Sequence, residues 1–485
     1  MPHNPRLRFL SESEESLIYE KCLHILSNKG VKIDYPKALT LLKKADADVN
    51  DKTQQVCFSR DMIEAALGTV PHCFTIKGSH EKHDFVVPHP TGSFYTSTCV
   101  QTMQYHDPDI NGFVDVTRQN LAEWTQLADR LENIHKIAMQ TPMDVPYETA
   151  DVHSLNIHLQ NTSKPLMVLA YCPETVGYLF ELMIARAGSI EALRERPMLL
   201  TYPTSLSPLQ FKPMDMETIL LSCRYGVPVV ANSLAISGAT APVTVAGTAL
   251  LASVEILAML VMTQIFQPGT PVIGSVYTTS MDMATGNALL GNTESMLGRA
   301  AASQFIKNRF HIPVETFSFM TDSHCSDGQA LVEKSLMPAL LDLAGSDIQY
   351  GAGRLGGATA ASPIQLIIDD QLFTIIQKCN APVVINEDTL ALQEILDNTP
   401  HGNFVTTAHT LRYCRDSIRP SLFVADSLDH WQTKGAKSLY ERAVERYKEL
   451  RSQLSPPSLS DEILGDMNSV VKKADDHLVG KLESK

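Results

Sequence analysis

Residues 243–266 form a long, mostly apolar run, VTVAGTALLASVEILAMLVMTQIF, and this run limits what the chain can fold into. A helix that is apolar on every side is either a membrane span or the inner wall of a large core. The run carries Glu255, Thr263 and Gln264 and stops abruptly at Gln267-Pro268-Gly269, so a buried helix is the expectation. A β-type run at 227–230 and a polar loop, Ser237-Gly238-Ala239-Thr240-Ala241-Pro242, precede it, and a second β-type run at 271–277 follows. This is a strand–loop–helix–strand unit, in which ligands sit on the loop at the strand's C-terminal end.

The unit recurs along the chain. Extended apolar runs at 94–103, 135–143, 166–171, 198–202, 227–230, 271–277, 313–319 and 348–350 are separated by helical patterns such as 121–131, 214–224, 294–309 and 329–344, with a last helix at 363–378. Roughly eight such units predict an α/β fold, a closed (β/α)8 TIM-type barrel. An open doubly wound sheet is the alternative, because alternation does not distinguish closed from open. Ahead of the barrel, a capping box at Ser11 and Glu14, Pro36 at a helix start and a third helix near Ser59 predict a helical N-terminal subdomain. The chain then divides into that subdomain at 1–90, the barrel at 91–380, and a C-terminal helical extension and tail at 381–485. Ser455-Pro456-Pro457 marks a break after which a polar, partly mobile tail is expected.

A net charge of −14 excludes the basic footprint of a nucleic-acid or anionic-membrane binder and fits a small polar or cationic ligand. The first residues lack the apolar core of a secretory signal. The nine cysteines are dispersed, with no C-x-x-C pair, so a cytoplasmic protein with reduced thiols is expected. There is no H-E-x-x-H and no Cys/His cluster at ligand spacing, so no metal site is expected.

Two motifs invite functional readings. Gly351-Ala352-Gly353-Arg354-Leu355-Gly356 matches G-x-G-x-x-G, but it follows the last strand, and Asp369 and Asp370 fall inside the next helix. A turn shaping the cavity rim is expected, with a phosphate-binding loop as the alternative. Asp322-Ser323-His324 with Gly328 approaches a corrinoid-binding box, yet Asp327 stands where that box needs glycine, so a corrinoid bound within this chain is not expected. At a barrel strand's C-terminal end, Asp322 and His324 read instead as site residues, and Asp327 as the cap of the following helix. Tyr95, Tyr105, Tyr202, Tyr277 and Tyr350 fall at other strand ends, with Phe317 and Phe319 nearby. Such a ring can cage a quaternary ammonium at ~0.5 to 2 kcal/mol per cation–π contact, although each aromatic taken singly is better explained by core filling than by a cage.

The stretch from Ser237 through Glu255 to Val272, SGATAPVTVAGTALLASVEILAMLVMTQIFQPGTPV, resembles the signature block of the trimethylamine methyltransferase superfamily. Further blocks agree in order: residues 10–49, Asn161-Thr162-Ser163-Lys164-Pro165, Thr321-Asp322-Ser323, Asp327-Gly328-Gln329-Ala330 with Glu333-Lys334, Gly351-Ala352-Gly353, and Ala408-His409-Thr410-Leu411-Arg412. The resemblance implies a barrel that moves a methyl group from a methylated amine to the cob(I)alamin of a separate corrinoid protein. No tightly bound cofactor is then expected in this chain, since the corrinoid (cobalamin) arrives on its partner. Trimethylamine-specific members depend on pyrrolysine, whereas this chain uses ordinary residues only. It therefore resembles the non-pyrrolysine branch, members of which demethylate quaternary amines such as glycine betaine. A quaternary ammonium already has a neutral amine as leaving group, so Co(I) needs only in-line access to the methyl carbon.

The expected substrate-binding residues are Tyr95, Tyr277, Phe317 and Tyr350 as cage, with Asn232, Asp322, His324 and Arg354 as polar contacts. Expected partners are a small methylated amine and a cognate corrinoid protein, without nucleic acid or membrane, and self-association is compatible with such a barrel. Two other readings stay open: a barrel enzyme acting on a phosphorylated small metabolite, and a non-catalytic betaine-binding protein.

Overall fold

The computed structural model describes residues 6–398, 402–416 and 420–481. Eight parallel strands carry the fold: β1 (Tyr95–Thr98), β2 (Ile137–Ala138), β3 (Leu166–Val168), β4 (Leu199–Thr201), β5 (Val229–Ser233), β6 (Val272–Val276), β7 (Val314–Phe317) and β8 (Ile348–Ala352). Each pairs with the next in sequence, and β8 pairs back with β1. A bridge between Ser97 and Lys136 joins β1 to β2, and this closes the ring. Closure decides between the two architectures compatible with the sequence: the fold is a (β/α)8 barrel.

Three helices precede the barrel: α1 (Glu12–Asn28), α2 (Pro36–Lys44) and α3 (Arg60–Thr69). A main helix then follows each strand: α4 (Arg118–Arg130), α5 (Ala150–Asn161), α6 (Val176–Ala187), α7 (Pro213–Tyr225), α8 (Val245–Phe266), α9 (Thr293–Phe310), α10 (Gly328–Ala344) and α11 (Pro363–Cys379), with a short second helix, Ile190–Glu195, after α6. The long apolar run at 243–266 forms α8. Thr244 caps its start by accepting the Gly247 N–H at 3.2 Å. The helix packs on β5 and α9 on its inner side and on α1, α2 and α3 on its outer side, so residues from Leu251 through Gln264 are buried. Its all-round apolarity is therefore met by protein on both sides.

The N-terminal segment is not purely helical. Three-residue strands at Val31–Ile33, Asp48–Asn50 and Gln55–Cys57 form a sheet with Gln210–Phe211 from the loop after β4. Runs of three residues are too short to carry a legible two-residue period. A hairpin of Phe74–Ile76 and Phe85–Val87 closes the N-terminal end of the barrel, where Phe85 lies 4.3 Å from the Tyr95 ring.

After the barrel come short, exposed helices and then α12 (Leu439–Arg451) and α13 (Asp461–Leu478). In place of a loose tail, α13 buries Met467, Val471, Ala474 and Leu478, a stripe at helical spacing, against α5 and α6. Lys473 pairs with Glu181 at 2.8 Å and Tyr178 meets His477 at 2.6 Å along the same seam. The last four residues of the expected tail lie outside the described residues.

Candidate active site at the barrel mouth

Alternate residues of each strand point into the barrel, and residues at or just after the C-terminal ends of every strand but β2 meet at a cavity. The cavity measures about 160 Å³ and is walled by Tyr202 after β4, Asn232 of β5, Tyr277 after β6, Phe317 of β7 and Tyr350 of β8, with Thr204, Lys212 and Asp215 from the β4 loop and α7. Pockets for drug-sized ligands run to ~300–1,000 Å³, so this one suits a far smaller molecule.

The aromatic wall is organised. Tyr277 and Phe317 stack face to face with ring centres 3.5 Å apart and planes 5° from parallel; Tyr350 stands edge-on to Phe317, and Tyr202 edge-on to Tyr350 at 6.5 Å. The Arg354 guanidinium lies 5.4 Å over the Phe317 ring and that of Arg299 lies 6.0 Å over Tyr277. Phe317 thus meets Tyr277, Tyr350 and a guanidinium, and Tyr277 meets Phe317 and a guanidinium.

Arg299 is fully buried, and its Nε and Nη1 donate to the Thr278, Leu290 and Phe317 carbonyls at 2.8, 3.1 and 2.8 Å. Burial pulls its pKa down to about 10, so it stays charged at neutral pH. Arg354, also buried, donates to the Val100 carbonyl, while its Nε and the Arg299 Nη2 have no hydrogen-bond partner. Among the described residues the ion pairs with both side chains fully buried are Lys136–Glu315 and Lys334–Asp369, and neither neutralises these guanidiniums.

Beneath the cavity, Lys136 Nζ meets both Glu315 oxygens at 2.7 and 2.8 Å and also donates to the Tyr202 hydroxyl. Burial draws the Lys136 pKa down, opposed by the Glu315 carboxylate against it. Burial also raises the Tyr202 and Tyr350 hydroxyls well above their usual range, so both remain neutral. Across the cavity, the Thr204 N–H donates to Asp215 Oδ1 at 2.9 Å and the Asn232 amide donates to Thr204 Oγ1 at 3.1 Å. Burial lifts Asp215 to about 6, opposed by Lys212 at 3.8 Å, so the carboxylate is ionised at neutral pH and protonated below that value.

The structure gathers four of the eight sequence-predicted residues, Asn232, Tyr277, Phe317 and Tyr350, on this cavity, and sets Arg354 directly behind its Phe317 and Val100 walls. The other three lie elsewhere. Tyr95 is the first residue of β1 and packs at the opposite end of the barrel against Phe85, His89 and His135. Asp322 accepts the Leu290 and Gly291 N–H groups at 3.0 and 2.9 Å and so fastens the β6 loop to the β7 loop. His324 is exposed on that rim beside Gly356, and Asp327 caps α10 by accepting the Ala330 N–H at 3.0 Å.

Sequence reading missed Lys136, Glu315, Asp215 and Arg299. Lys136 and Glu315 stand as charges inside apolar strand runs, which is a usable signal. Asp215 reads in sequence only as a first-turn carboxylate of α7, and Arg299 as one polar residue of α9.

The glycine-rich turn after β8 does not offer its amides to a phosphate. The Gly353 N–H goes to Asp369 at 2.7 Å, and those of Gly356 and Gly357 to the Ser323 and Thr321 carbonyls at 2.7 and 2.8 Å. Gly353 has φ +82°, and a Cβ there would come 2.3 Å from the Trp124 ring. Gly353→Ala is expected to lower stability by about 1–3 kcal/mol through strain and displacement of Trp124, read as a reduced denaturation midpoint.

Comparison with known proteins agrees with this geometry. The sequence profile of the trimethylamine methyltransferase (MTTB) family matches residues 1–478. A trimethylamine methyltransferase MttB of Desulfitobacterium hafniense is 27% identical over 467 residues, covering 96% of this chain and 94% of that one. The glycine betaine methyltransferase of Desulfitobacterium hafniense strain Y51 is 26% identical over 464 residues, covering 95% of each. The crystal structure of the hydroxylamine MtmB complex superposes with a TM-score of 0.50 at 11% identity, covering 94% of this chain and 96% of that one, a likeness of fold alone. The eight-stranded barrel and the full-length match together place the chain in the trimethylamine methyltransferase (MTTB) family.

Proposed function

We propose that this enzyme transfers a methyl group from a zwitterionic quaternary amine, with glycine betaine as the substrate of best fit, to the Co(I) of a separate corrinoid protein. The observation that carries the reading is the cavity's polarity. Arg354 follows β8 and Asp215 follows β4, which in an eight-stranded ring stand diametrically opposed. The Arg354 guanidinium therefore lies behind the Phe317 wall on one side, while a carboxylate and an amide oxygen, with Lys212 at 3.8 Å from the carboxylate, line the other. A small molecule with a carboxylate at one end and a fixed cation at the other meets both.

The chemistry asks little more of the protein. Cobalt supplies the electron pair for the new Co–C bond, and the pair of the broken C–N bond stays on nitrogen. A quaternary ammonium thereby becomes a neutral tertiary amine and Co(I) becomes methyl-Co(III). No proton moves in that step, so the task is to hold the methyl carbon in line and exclude water. The neutral Tyr202 and Tyr350 hydroxyls and the internally paired Lys136 and Glu315 form a rigid floor for it.

Reduced free cob(I)alamin, followed by absorbance with glycine betaine, carnitine, proline betaine and trimethylamine in turn, tests the reading. Methylcobalamin is expected with glycine betaine and not with trimethylamine. No methylation by any quaternary amine under strict reduction overturns it.

A further inference from the structure

Two cavity-lining side chains have polar atoms that no group in the protein satisfies. Asp215 and Asn232 are 3% and 4% exposed. Thr204 holds one polar atom of each, its N–H on Asp215 Oδ1 and its Oγ1 on the Asn232 amide nitrogen. Asp215 Oδ2 and Asn232 Oδ1 remain without a hydrogen-bond partner. The nearest cation, Lys212 Nζ, is 3.8 Å from Asp215 Oδ2, beyond hydrogen-bond reach, and its side chain is 38% exposed.

Both unsatisfied atoms are acceptors. A buried acceptor without a donor is costly, and two in one small wall, one of them a carboxylate oxygen, favour an occupant that brings a donor or positive charge rather than lone pairs. A carboxylate lodged there would face two oxygens of its own kind. A quaternary ammonium has no N–H, but its charge is spread over its methyl hydrogens, which can pack against both oxygens at once. Tyr277 and Phe317 stack on each other and each already has a guanidinium within 6.0 Å of its ring centre, so a ligand cation there would share the rings with existing positive charge.

We propose that Asp215, with Asn232 beside it, is the counter-charge that selects a cationic ammonium head at this cavity, a specificity-determining role that rests on the methyl-transfer reading above. The substrate then lies with its ammonium on the β4–β5 side and its carboxylate toward Arg354. An amine analogue with an uncharged head is discriminated against even where its shape is the same.

The test compares binding of glycine betaine with that of 3,3-dimethylbutanoate, in which carbon replaces the cationic nitrogen, to the full-length protein by calorimetry without any corrinoid. Asp215→Asn, which keeps the acceptor for Thr204, is expected to weaken glycine betaine about tenfold while leaving the carbon analogue as tight or tighter. Asn232→Asp adds charge to the same wall and is expected to move the ratio of the two affinities the other way; it keeps the test decisive if Asp215→Asn does not fold. A ratio unmoved by the variants, with glycine betaine still bound by the wild type, overturns the role of Asp215 alone. A wild type that binds neither ligand overturns the methyl-transfer reading and this inference with it.

Discussion

Glu315→Ala is expected to destabilise the protein by about 3–5 kcal/mol, because it leaves the Lys136 ammonium buried without its partner. Both side chains are fully shielded and the contacts are bidentate, at 2.7 and 2.8 Å. Desolvation makes the pair itself a poor source of net stability, so the cost lies in breaking one half of it. The corresponding double replacement, Lys136→Met with Glu315→Leu, is expected to recover most of the loss. Urea unfolding at neutral pH measures both. A single variant that loses under about 1 kcal/mol would mean that water reaches Lys136, contrary to a sealed floor beneath the cavity.

Glu255→Ala is expected to cost about 3–5 kcal/mol as well, and to impair substrate binding. Glu255 projects from the middle of α8 and is fully buried with no cation against it. Its oxygens accept from the Ser205, Ser207 and Ser233 hydroxyls at 2.6, 2.8 and 2.6 Å and from the Leu209 N–H at 2.8 Å. These donors belong to the loop after β4 and to the end of β5, the segments that hold Thr204 and Asn232. The same loop goes on into Gln210–Phe211, which pairs with the N-terminal Val31–Ile33. One carboxylate thus ties the long helix, the cavity wall and the N-terminal sheet together. Glu255→Gln keeps the size but offers a single acceptor oxygen and is expected to fall between wild type and alanine. Equal stability of all three would show that the four donors find other partners.

Much of the fold was legible because barrel strands and helices are long enough to show their periods. All eight extended runs became strands, and α7, α9, α10 and α11 lie within a few residues of their sequence-read positions. The N-terminal strands were not legible, since three residues show no alternation, and the α13 stripe was obscured by its charged neighbours. For the site, strand-end position anticipates that Tyr277, Phe317 and Tyr350 meet on one cavity, whereas Tyr95 stands at the beginning rather than the end of its strand and lies away from it. Asp322 is placed on backbone amides of the neighbouring loop, a contact that strand-end position does not reveal. The decisive polarity of the cavity was invisible in sequence. It depends on which polar atoms are left without a hydrogen bond, as Arg354 Nε and Asp215 Oδ2 are, and partners are fixed only by tertiary packing.

The central claim is methyl transfer at this cavity, and product stoichiometry tests it most directly. Glycine betaine carrying trideuterated methyl groups, incubated with the protein and a reduced corrinoid, is predicted to give dimethylglycine and trideuteromethyl-cobalt in equal amounts. Dimethylglycine formed without a matching methyl-cobalt product, or no demethylation at all, would contradict the account.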